Sequence, residues 1–251
     1  MSSSDYTPAI IEFLPDLTSK KKKGVHRPIY AEVFVNNINP GDDVKVVHLM
    51  VNPYSGKKQG EKIANNAKHI FEQESIQVNT HISNYSGELI SIAESLAASD
   101  SDVVVVVGGD GSLSEVITGL MQANSQCRVG LIPAGTGNSM ANDLKIKDTK
   151  DAINRICKGA YQFLDLAKVD MVAGLPGNQQ GNMTRYSANL VTWGLGVDST
   201  IKAEKMRWMG PMRYDVGILM AIMANNRRHA TLTIDDRKIE DDFTLFLIQN
   251  S

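Results

Sequence analysis

The sequence predicts an α/β protein in which a domain with a parallel sheet is followed by a mainly antiparallel β domain. From residue 46 onward, short apolar segments alternate with amphipathic segments of helical periodicity, the pattern of strands joined by crossover helices. The apolar run at residues 103–107 has no polar interruption, which is typical of a parallel strand buried on both faces. After residue 159 the alternation ends and β-prone segments follow one another, which predicts antiparallel pairing.

Four strands and four helices are predicted for the first domain. The strands are expected at residues 46–51, 78–82, 103–107 and 129–132. After each of the first three strands, apolar residues recur at helical spacing, which predicts an amphipathic helix. A fourth helix is expected at residues 149–158, because Asp148 or Thr149 is a suitable N-cap and Gly159 a typical stop.

The second domain is predicted from strand and turn signals. Strands are expected at residues 161–170, 186–193, 230–235 and 243–249, with a turn at 235–238. Residues 174–184 are rich in glycine and polar side chains, so we expect an exposed loop there. The apolar positions of a helix at residues 216–223 are interpreted as core packing, with contact to an acyl chain as the alternative.

The domain organisation follows from these segments. Residues 1–44 form an N-terminal extension, expected to be partly disordered, although residues 29–35 alternate well enough for a strand. Residues 45–159 form the first domain and residues 160–251 the second, which is expected to be truncated because the chain ends just after an apolar strand. The lysine run at residues 20–23 is interpreted as part of a solvated linker, although an anionic membrane surface would attract it.

Composition excludes several classes of function. The chain has 251 residues, and its 26 basic and 28 acidic side chains give a net charge of −2, which argues against a nucleic-acid partner. Cys127 and Cys157 are too few for a disulfide framework or a cysteine metal site, and this indicates a cytoplasmic protein. No apolar run approaches the roughly 20 residues that cross a bilayer, so any membrane contact is expected to be peripheral.

A glycine-rich loop follows the apolar run at residues 103–107. The segment Gly108-Gly109-Asp110-Gly111-Ser112 joins the strand to a helix, and its glycines let a backbone approach a phosphate group closely. Asp110 would then lie beside the phosphates, where it can accept a proton from an attacking hydroxyl or hold Mg²⁺. The structural alternative is a tight turn in which Asp110 only caps a helix.

Two further loops follow the first and fourth strands. Residues 133–139, with Gly135, Thr136 and Asn138, place small residues and hydrogen-bonding side chains after the fourth strand. Residues 52–58, from Asn52 to two lysines, follow the first strand. The carboxyl ends of parallel strands meet at one edge of a sheet, so all three loops are expected to converge there. A turn with capping residues and solvated lysines is the alternative for each loop alone.

The three loops together resemble the diacylglycerol kinase catalytic-domain family, which includes sphingosine and ceramide kinases. The family pattern N-P-x-x-G, then G-G-D-G-[TS]-x-x-E, then P-x-G-[TS]-G-N is met in order and in spacing. The resemblance covers about residues 45–250 and implies a β-sandwich as the second domain. It implies ATP and Mg²⁺ as cofactors and a lipid hydroxyl as the phosphoryl acceptor.

The resemblance also carries candidate site residues. Asp110 is the catalytic candidate and the potential metal ligand. The ATP-binding candidates in the first domain are Asn52, Pro53, Ser55, Gly56, Thr80, Gly108, Gly109, Gly111, Gly135, Thr136 and Asn138. Residues 193–198 and 204–214 resemble the corresponding segment of sphingoid-base and ceramide kinases. By that similarity Arg207 and Arg213 reach the ATP phosphates, and Asp198 lies near the lipid head group. Without the family, two exposed arginines about two turns apart on one helix would be ordinary surface charges.

Two departures from the family pattern limit what the resemblance implies. Sphingosine kinases carry a second acidic residue where this chain has Thr200, so sphingosine is not singled out as acceptor. An acidic element that relatives have farther downstream is not reached by this chain. The expected function is therefore a lipid kinase that acts on a sphingoid base, ceramide or diacylglycerol. An NAD kinase-like enzyme and a catalytically inactive nucleotide- or lipid-binding module are the alternatives.

Overall fold

The structure is a computed structural model that describes residues 10–13, 41, 43–96, 103–175, 179–210, 212–224, 226–234 and 237–249. Only the backbone is described for residues 10–13, 172–175, 179, 180 and 207. The strand expected at residues 29–35 and the lysine run lie outside the described residues. By its contacts the chain divides into two compact units, between Asn189 and Leu190. The expected domain boundary after residue 159 stays a prediction, because compactness does not define where a family's domains begin.

The first unit contains seven strands and six helices within its described residues. Its strands are β1 (Ile10–Phe13), β2 (Val46–Val51), β3 (Gln77–Ile82), β4 (Val103–Gly108), β5 (Arg128–Pro133), β6 (Ala167–Leu175) and β7 (Gln179–Ser187). Its helices are the short turn α1 (Ser55–Lys58), α2 (Gly60–Gln73), α3 (Glu88–Leu96), α4 (Asp110–Gln122), α5 (Ser139–Asp143) and α6 (Thr149–Cys157).

A parallel sheet with strand order β3-β2-β4-β5 forms the centre of the first unit. Every residue of β4 is buried, which confirms that the valine run is a strand covered on both faces. One face packs on α2 and α6 through Phe71 and Ile153. The other face packs on α3 and α4 through Leu89 and Leu120. The predicted parallel α/β architecture is therefore confirmed.

The predicted caps of α6 are also present. The Asp148 carboxylate accepts the backbone N–H of Asp151 at 2.8 Å, and Gly159 follows the helix with a φ of 66°. Positive φ is the conformation that glycine adopts at low cost, so Gly159 ends the helix as expected.

An antiparallel sheet in the order β1-β6-β7 completes the first unit. The sequence pattern does not predict β1, which lies in the N-terminal extension and pairs with β6 from Ile10↔Asp170 to Phe13↔Ala167. The prediction of an exposed loop at residues 174–184 is wrong for most of that segment. Strand β6 continues to Leu175 and β7 begins at Gln179, so most of the polar segment belongs to two paired antiparallel strands.

Helix α4 packs beside the outer edge of β7 through one polar stripe. The Thr118 hydroxyl oxygen accepts the backbone N–H of Tyr186 at 3.1 Å, and the Ser114 hydroxyl donates to the Tyr186 carbonyl at 3.0 Å. One turn farther along, the Gln122 amide donates to the Thr184 carbonyl at 3.4 Å. Side chains of a helix therefore satisfy backbone groups at the edge of a strand, where another strand would otherwise pair.

The second unit contains antiparallel strands and two helices within its described residues. They are β8 (Leu190–Gly194), α7 (Leu195–Lys205), a 3₁₀ turn (Arg207–Met209), α8 (Met212–Ala224), β9 (Arg228–Ile234), β10 (Arg237–Phe243) and β11 (Leu245–Gln249). Strand β9 pairs with β10, and β8 pairs with β11, both antiparallel. The prediction that antiparallel strands follow the parallel domain is confirmed.

Most of the apolar residues of α8 that were expected to pack in a core are exposed. Ala221 is buried, but Ile218, Leu219, Ile222 and Met223 are exposed. Interpretation of these positions as core is therefore wrong for the described part of the second unit. Among the described residues, no helix is long and apolar enough to cross a bilayer.

Candidate functional site

Three loops meet at the carboxyl edge of the parallel sheet, as the sequence predicts. We call residues 52–58 the first loop, 108–112 the second and 133–139 the third. The register places Val51 opposite Val107 and Gly108 opposite Pro133, so the three loops leave the sheet side by side. Backbone hydrogen bonds continue the sheet into the loops, from Asn52 N to Val107 O at 3.2 Å and from Ala134 N to Gly108 O at 2.8 Å.

Asn52 joins the first loop to the second. Its side-chain amide nitrogen donates to the hydroxyl oxygen of the buried Ser112 at 3.1 Å. Its amide oxygen accepts the backbone N–H of Tyr54 at 3.0 Å, which folds the residues around Pro53 into a turn. Ser55 is buried beneath this turn. Asn52 therefore holds the turn of the first loop with its amide oxygen and connects that loop to the second with its amide nitrogen.

Close backbone contacts explain several of the glycines. A Cβ on Gly135 would lie 2.7 Å from the Cα of Gly109, and one on Gly108 would lie 2.6 Å from the Cβ of Ser112. Gly56 has a φ of 55°, and a Cβ there would lie 2.3 Å from the Ala134 carbonyl oxygen. These contacts are too short for any side chain, so the three loops interlock only because glycine occupies these positions.

Gly111 is different, because a Cβ there would meet no heavy atom within 4 Å. The residue is exposed at the start of α4, where the free N–H groups of a helix favour an anion. Protein packing gives no reason for a glycine at this position. A closely approaching ligand would give one.

Asp110 joins the second loop to the third. Its Oδ2 accepts the backbone N–H of Ser139 at 3.0 Å, and its Oδ1 accepts that of Met140 at 2.9 Å. The carboxylate thus caps α5, a helix that begins almost thirty residues later, rather than α4, which it begins. Each oxygen keeps one lone-pair direction for another partner.

Asn138 stabilises the third loop internally. Its side chain accepts the backbone N–H of Gly135 and donates to the Gly135 carbonyl, each at 2.9 Å. It adopts a φ of 53°, a conformation that asparagine tolerates better than most residues. Thr136, at the tip between them, is exposed. A role of either side chain in binding a nucleotide stays a prediction.

The first loop contains a short left-handed turn. Gly56, Lys57 and Lys58 have φ values of 55°, 60° and 66°. Such values are uncommon for residues with a side chain, so the local turn is held by its surroundings. Both lysines are exposed. They point to solvent at the edge of the loop cluster, which leaves both the solvated interpretation and a phosphate contact open.

Thr80 and Glu115 both lie outside the three loops. Thr80 is exposed on β3 opposite Leu49, two residues before the end of the strand, and not in one of the three loops. Glu115 on α4 accepts the backbone N–H of Gly87 at 3.0 Å, which holds the segment before α3. Glu115 belongs to the family pattern, but its contact with Gly87 is not evident from the sequence.

A histidine pair lies on the neighbouring strands β2 and β3. His48 Nδ1 and His81 Nε2 are 3.0 Å apart, and the two rings stack with centroids 5.2 Å apart. The amide nitrogen of Asn79 lies 3.3 Å from the other nitrogen of His48. Burial lowers the pKa of both histidines, and the charge of His48 lowers the pKa of His81 further. The folded protein therefore favours neutral imidazoles.

Arg207 and Arg213 do not lie on one continuous helix. Arg207 begins the 3₁₀ turn, Gly210 has a φ of 62°, and Arg213 lies in the first turn of α8. The expectation of two exposed arginines on one helix is wrong, because the chain bends between them. The side chain of Arg213 is only 12% exposed and lies 3.5 Å from the Glu204 carboxylate.

Asp198 lies on α7 of the second unit. Its carboxylate accepts two hydrogen bonds from Arg228 on β9, at 2.8 and 3.0 Å. These bonds are the main reason that the pKa of Asp198 lies below its usual value. Asp198 is therefore ionised and paired. Its predicted position near a lipid head group stays a prediction.

The fit of the site to Mg²⁺ depends on Asp110. Among the described residues, no three His, Cys, Asp or Glu side chains come together as a metal site. Asp110 is the only carboxylate in the three loops. Mg²⁺ often binds proteins through one or two carboxylates and completes its shell with water and phosphate oxygens, so one carboxylate fits a nucleotide-bound ion.

The fold and these loops define a class of α/β domain in which a backbone-lined site forms at the carboxyl edge of a parallel sheet. Residues 46–169 match the family described as the diacylglycerol kinase catalytic domain. This match confirms the resemblance drawn from the three loops for residues 46–169, which make up just under half of the chain.

Named relatives include several lipid kinases. The chain is 30% identical over 217 residues to "Sphingosine kinase 1" of Arabidopsis thaliana, covering 82% of this chain and 43% of the relative. It is 27% identical over 207 residues to "Ceramide kinase" of Mus musculus, covering 74% of this chain and 38% of the relative. The chain therefore spans less than half the length of these relatives.

Solved structures support the fold. A diacylglycerol kinase from Bacillus anthracis str. Sterne superposes with a TM-score of 0.61 at 19% sequence identity. The match covers 82% of this chain and 64% of that chain. A second structure described as a putative diacylglycerol kinase of the same organism gives a TM-score of 0.58 at 22% identity. At these identities the comparison establishes a shared fold.

Proposed function

We propose that this protein is an ATP-dependent lipid kinase that transfers the γ-phosphoryl group of ATP to a lipid hydroxyl. The observation that carries the proposal is the position of Asp110, the only carboxylate among three interlocked glycine loops in a diacylglycerol kinase-type catalytic domain. Positioning and charge neutralisation dominate phosphoryl transfer. The edge of the sheet supplies the positioning, and the N-terminus of α4 together with Mg²⁺ held by Asp110 would supply the neutralising charge.

The nucleotide phosphates are proposed to lie against the second and third loops. Gly111 has open space where a side chain would be, and α4 directs its N-terminus toward that space. The remaining glycines act indirectly, because they let the loops pack against one another. Asn52, Ser55 and Asn138 shape the loops, while Thr136, Thr80 and the first-loop lysines supply outer contacts to the nucleotide.

Asp110 is proposed to orient the acceptor hydroxyl and to accept its proton. Two backbone N–H groups hold the carboxylate in one orientation, and each oxygen keeps one lone-pair direction for a further partner. Asp110 would also hold Mg²⁺, directly or through water, and the ion would neutralise charge on the phosphates. Fixing the carboxylate by backbone contacts suits either task, because no rotamer has to be selected during the reaction.

The lipid is proposed to bind through the second unit. Asp198 is proposed to contact the head group, and Arg207 and Arg213 keep the role in ATP binding that the family resemblance implies. Leu219 and Met223 on α8 offer exposed apolar surface to the acyl chain. The protein would then act in the cytoplasm and meet its substrate by peripheral contact with a membrane.

A phosphotransfer assay tests the proposal. The full-length protein would be incubated with radiolabelled ATP, Mg²⁺ and detergent-dispersed sphingosine, ceramide or diacylglycerol, with NAD as a parallel acceptor. We expect label in a lipid product. Label in NAD alone would show that the NAD kinase-like alternative is the activity of this protein. ATP binding without a product from any acceptor would indicate an inactive binding module.

A further inference from the structure

Arg228 holds the carboxylate of Asp198 from a separate element of the second unit. One nitrogen of its guanidinium, Nη2, bonds both oxygens of Asp198, at 2.8 and 3.0 Å. The guanidinium also lies 5.9 Å from the centroid of the Trp193 ring, and Trp193 stacks on Phe246 with centroids 4.9 Å apart. Residues from α7, β8, β9 and β11 therefore assemble the pair, which distinguishes it from two exposed side chains that meet on one helix.

A second cation lies close to the same carboxylate. The charge of Lys202, one turn along α7, favours the ionised form of Asp198, and Asn226 adds a side-chain hydrogen bond. The Lys202 ammonium is held in place by the carbonyl oxygen of Met220 at 2.9 Å. Asp198 is thus a carboxylate whose charge two nearby cations compensate, and its side chain is 17% exposed.

Thr200 occupies the position at which sphingosine kinases carry a second acidic residue, so this chain has no carboxylate there. The Thr200 hydroxyl donates to the Gly196 carbonyl of its own helix at 3.0 Å. The Glu204 carboxylate on the same helix lies 3.5 Å from Arg213. An ammonium group approaching Asp198 would therefore meet a carboxylate already paired with Arg228, together with the repulsion of Lys202.

We propose that Arg228 is a specificity-determining residue that compensates the charge of Asp198, so that the head-group site favours lipid alcohols without an ammonium group over free sphingoid bases. The proposal rests on the proposed function, in which Asp198 contacts the head group. The shared chemistry of the favoured acceptors is an uncharged head with a hydroxyl, as in diacylglycerol or an N-acylated sphingoid base. The hydroxyl of such a head group needs a carboxylate oxygen to which it can donate a hydrogen bond, and Asp198 still offers one. An uncharged head group gains nothing from an unpaired negative charge.

The test compares acceptors in the full-length protein. Values of kcat/KM would be measured for diacylglycerol, ceramide and sphingosine in the same detergent, for the wild type and for Arg228→Gln, Arg228→Lys and Arg227→Gln. Arg227 is the matched control, because it is exposed and adjacent in sequence, and its replacement removes the same charge. The KM for ATP is measured as well, since loss of the whole fold would change it.

The expected result is a shift in preference rather than a loss of activity. We expect the wild type to favour an uncharged acceptor, and Arg228→Gln to raise the ratio of sphingosine to uncharged-acceptor kcat/KM by about tenfold, with the KM for ATP unchanged. Arg228→Lys should keep most of the wild-type preference, and Arg227→Gln all of it. The diacylglycerol and ceramide arms identify which uncharged head is used.

Two results would overturn the inference. One is a wild type that prefers sphingosine, a measurement that needs no variant to fold. The other is a folded Arg228→Gln protein whose acceptor preference equals that of Arg227→Gln. Absence of phosphorylation of every lipid by the wild type is a separate outcome, because it removes the proposed function on which the inference rests.

Discussion

The carboxylate of Asp110, the first residue of α4, accepts the backbone N–H of Met140 at 2.9 Å, and so the proposed catalytic group also fixes the start of α5. A carboxylate that acted only in catalysis could be replaced without a loss of stability. The structure adds a second effect, because the same carboxylate accepts the Ser139 N–H. Any change at this position therefore alters a cap as well as a charge.

Asp110→Asn is expected to abolish lipid phosphorylation and to lower the free energy of unfolding by about 1 kcal/mol, since an amide offers one oxygen where the carboxylate offers two. The matched control is Asp148→Ala, which removes the cap that Asp148 forms with the Asp151 N–H at a cost of about 1 kcal/mol. We expect the two variants to lose similar stability in urea titrations, and only Asp110→Asn to lose phosphotransfer. Comparable activity in both would leave Asp110 as a capping residue.

Gly111→Ala is expected to leave the melting temperature unchanged or slightly raised, because its Cβ meets no atom within 4 Å and alanine is the better helix former. It should reduce the stabilisation by saturating ATP with Mg²⁺, because the methyl group would occupy the space proposed for a phosphate. Thermal denaturation with and without ATP measures both. An undiminished ATP effect would move the nucleotide away from Gly111.

Gly135→Ala is the contrasting variant in the same measurements. A Cβ on Gly135 would lie 2.7 Å from the Cα of Gly109, so the second and third loops would have to separate. We expect a loss of about 1 to 3 kcal/mol in the free energy of unfolding, as for other overpacked positions. Equal stability of the two alanine variants would show that the close loop contact is not maintained in solution.

The histidine pair predicts a loss of stability in mild acid. Burial holds the pKa of His48 and of His81 below the ordinary value of 6.5, so below about pH 6.5 the unfolded chain binds more protons than the folded one. The free energy of unfolding should therefore fall as the pH decreases from about 6.5 toward the folded-state pKa values. His81→Gln should reduce the slope of that fall, measured by urea titrations across the range.

His69→Gln provides the control for this pH dependence. His69 is an exposed residue of α2 whose ring lies 3.2 Å from the Gln73 amide nitrogen. Its replacement removes an exposed imidazole and leaves His48 and His81 in place, so this variant is the matched comparison for the loss of one histidine. A His81→Gln protein with the same slope as the wild type and His69→Gln would show that the pair does not govern stability in acid.

Arg213→Ala is expected to destabilise the protein by about 1 to 2 kcal/mol, in contrast to what an exposed helix arginine would do. The side chain is 12% exposed, its guanidinium lies 4.7 Å from the centroid of the Tyr214 ring, and it is paired with Glu204. The exposed Arg227→Ala should change stability little. Kinetics of Arg213→Ala with ATP are therefore best compared below the melting temperature of the variant.

The parallel sheet of the first unit and the helices that cover it could be predicted from the sequence because their signals are local. The valine run at residues 103–107 can be buried only as a central strand, and the amphipathic helices follow from spacing alone. Convergence of the three loops then follows from the geometry of parallel strands. The contact of Asp110 with Met140 could not be predicted in the same way, because it depends on the path of a loop far away in the sequence.

The second unit was harder to predict because its contacts join distant segments. Strand β8 pairs with β11, and the partner of Asp198 is Arg228 on β9. No periodic signal in the sequence indicates either pairing. Arg207 and Arg213 match the spacing of one helix, but the positive φ of Gly210 lies between them. The sequence does not predict the short strand β1, because the residues around it lack a repeating pattern.

The hydrogen bonds from α4 to β7 bear on the solubility of the folded chain. An unpaired strand edge is a template on which another molecule can add a strand, and such edges are common starting points of aggregation. Thr118, Ser114 and Gln122 already occupy backbone groups of Tyr186 and Thr184 along that edge. The helix that begins at the proposed catalytic aspartate therefore also protects the hairpin against association between copies of the chain. Threonine, serine and glutamine on a helix face would serve this purpose in other proteins wherever a helix runs beside a sheet edge.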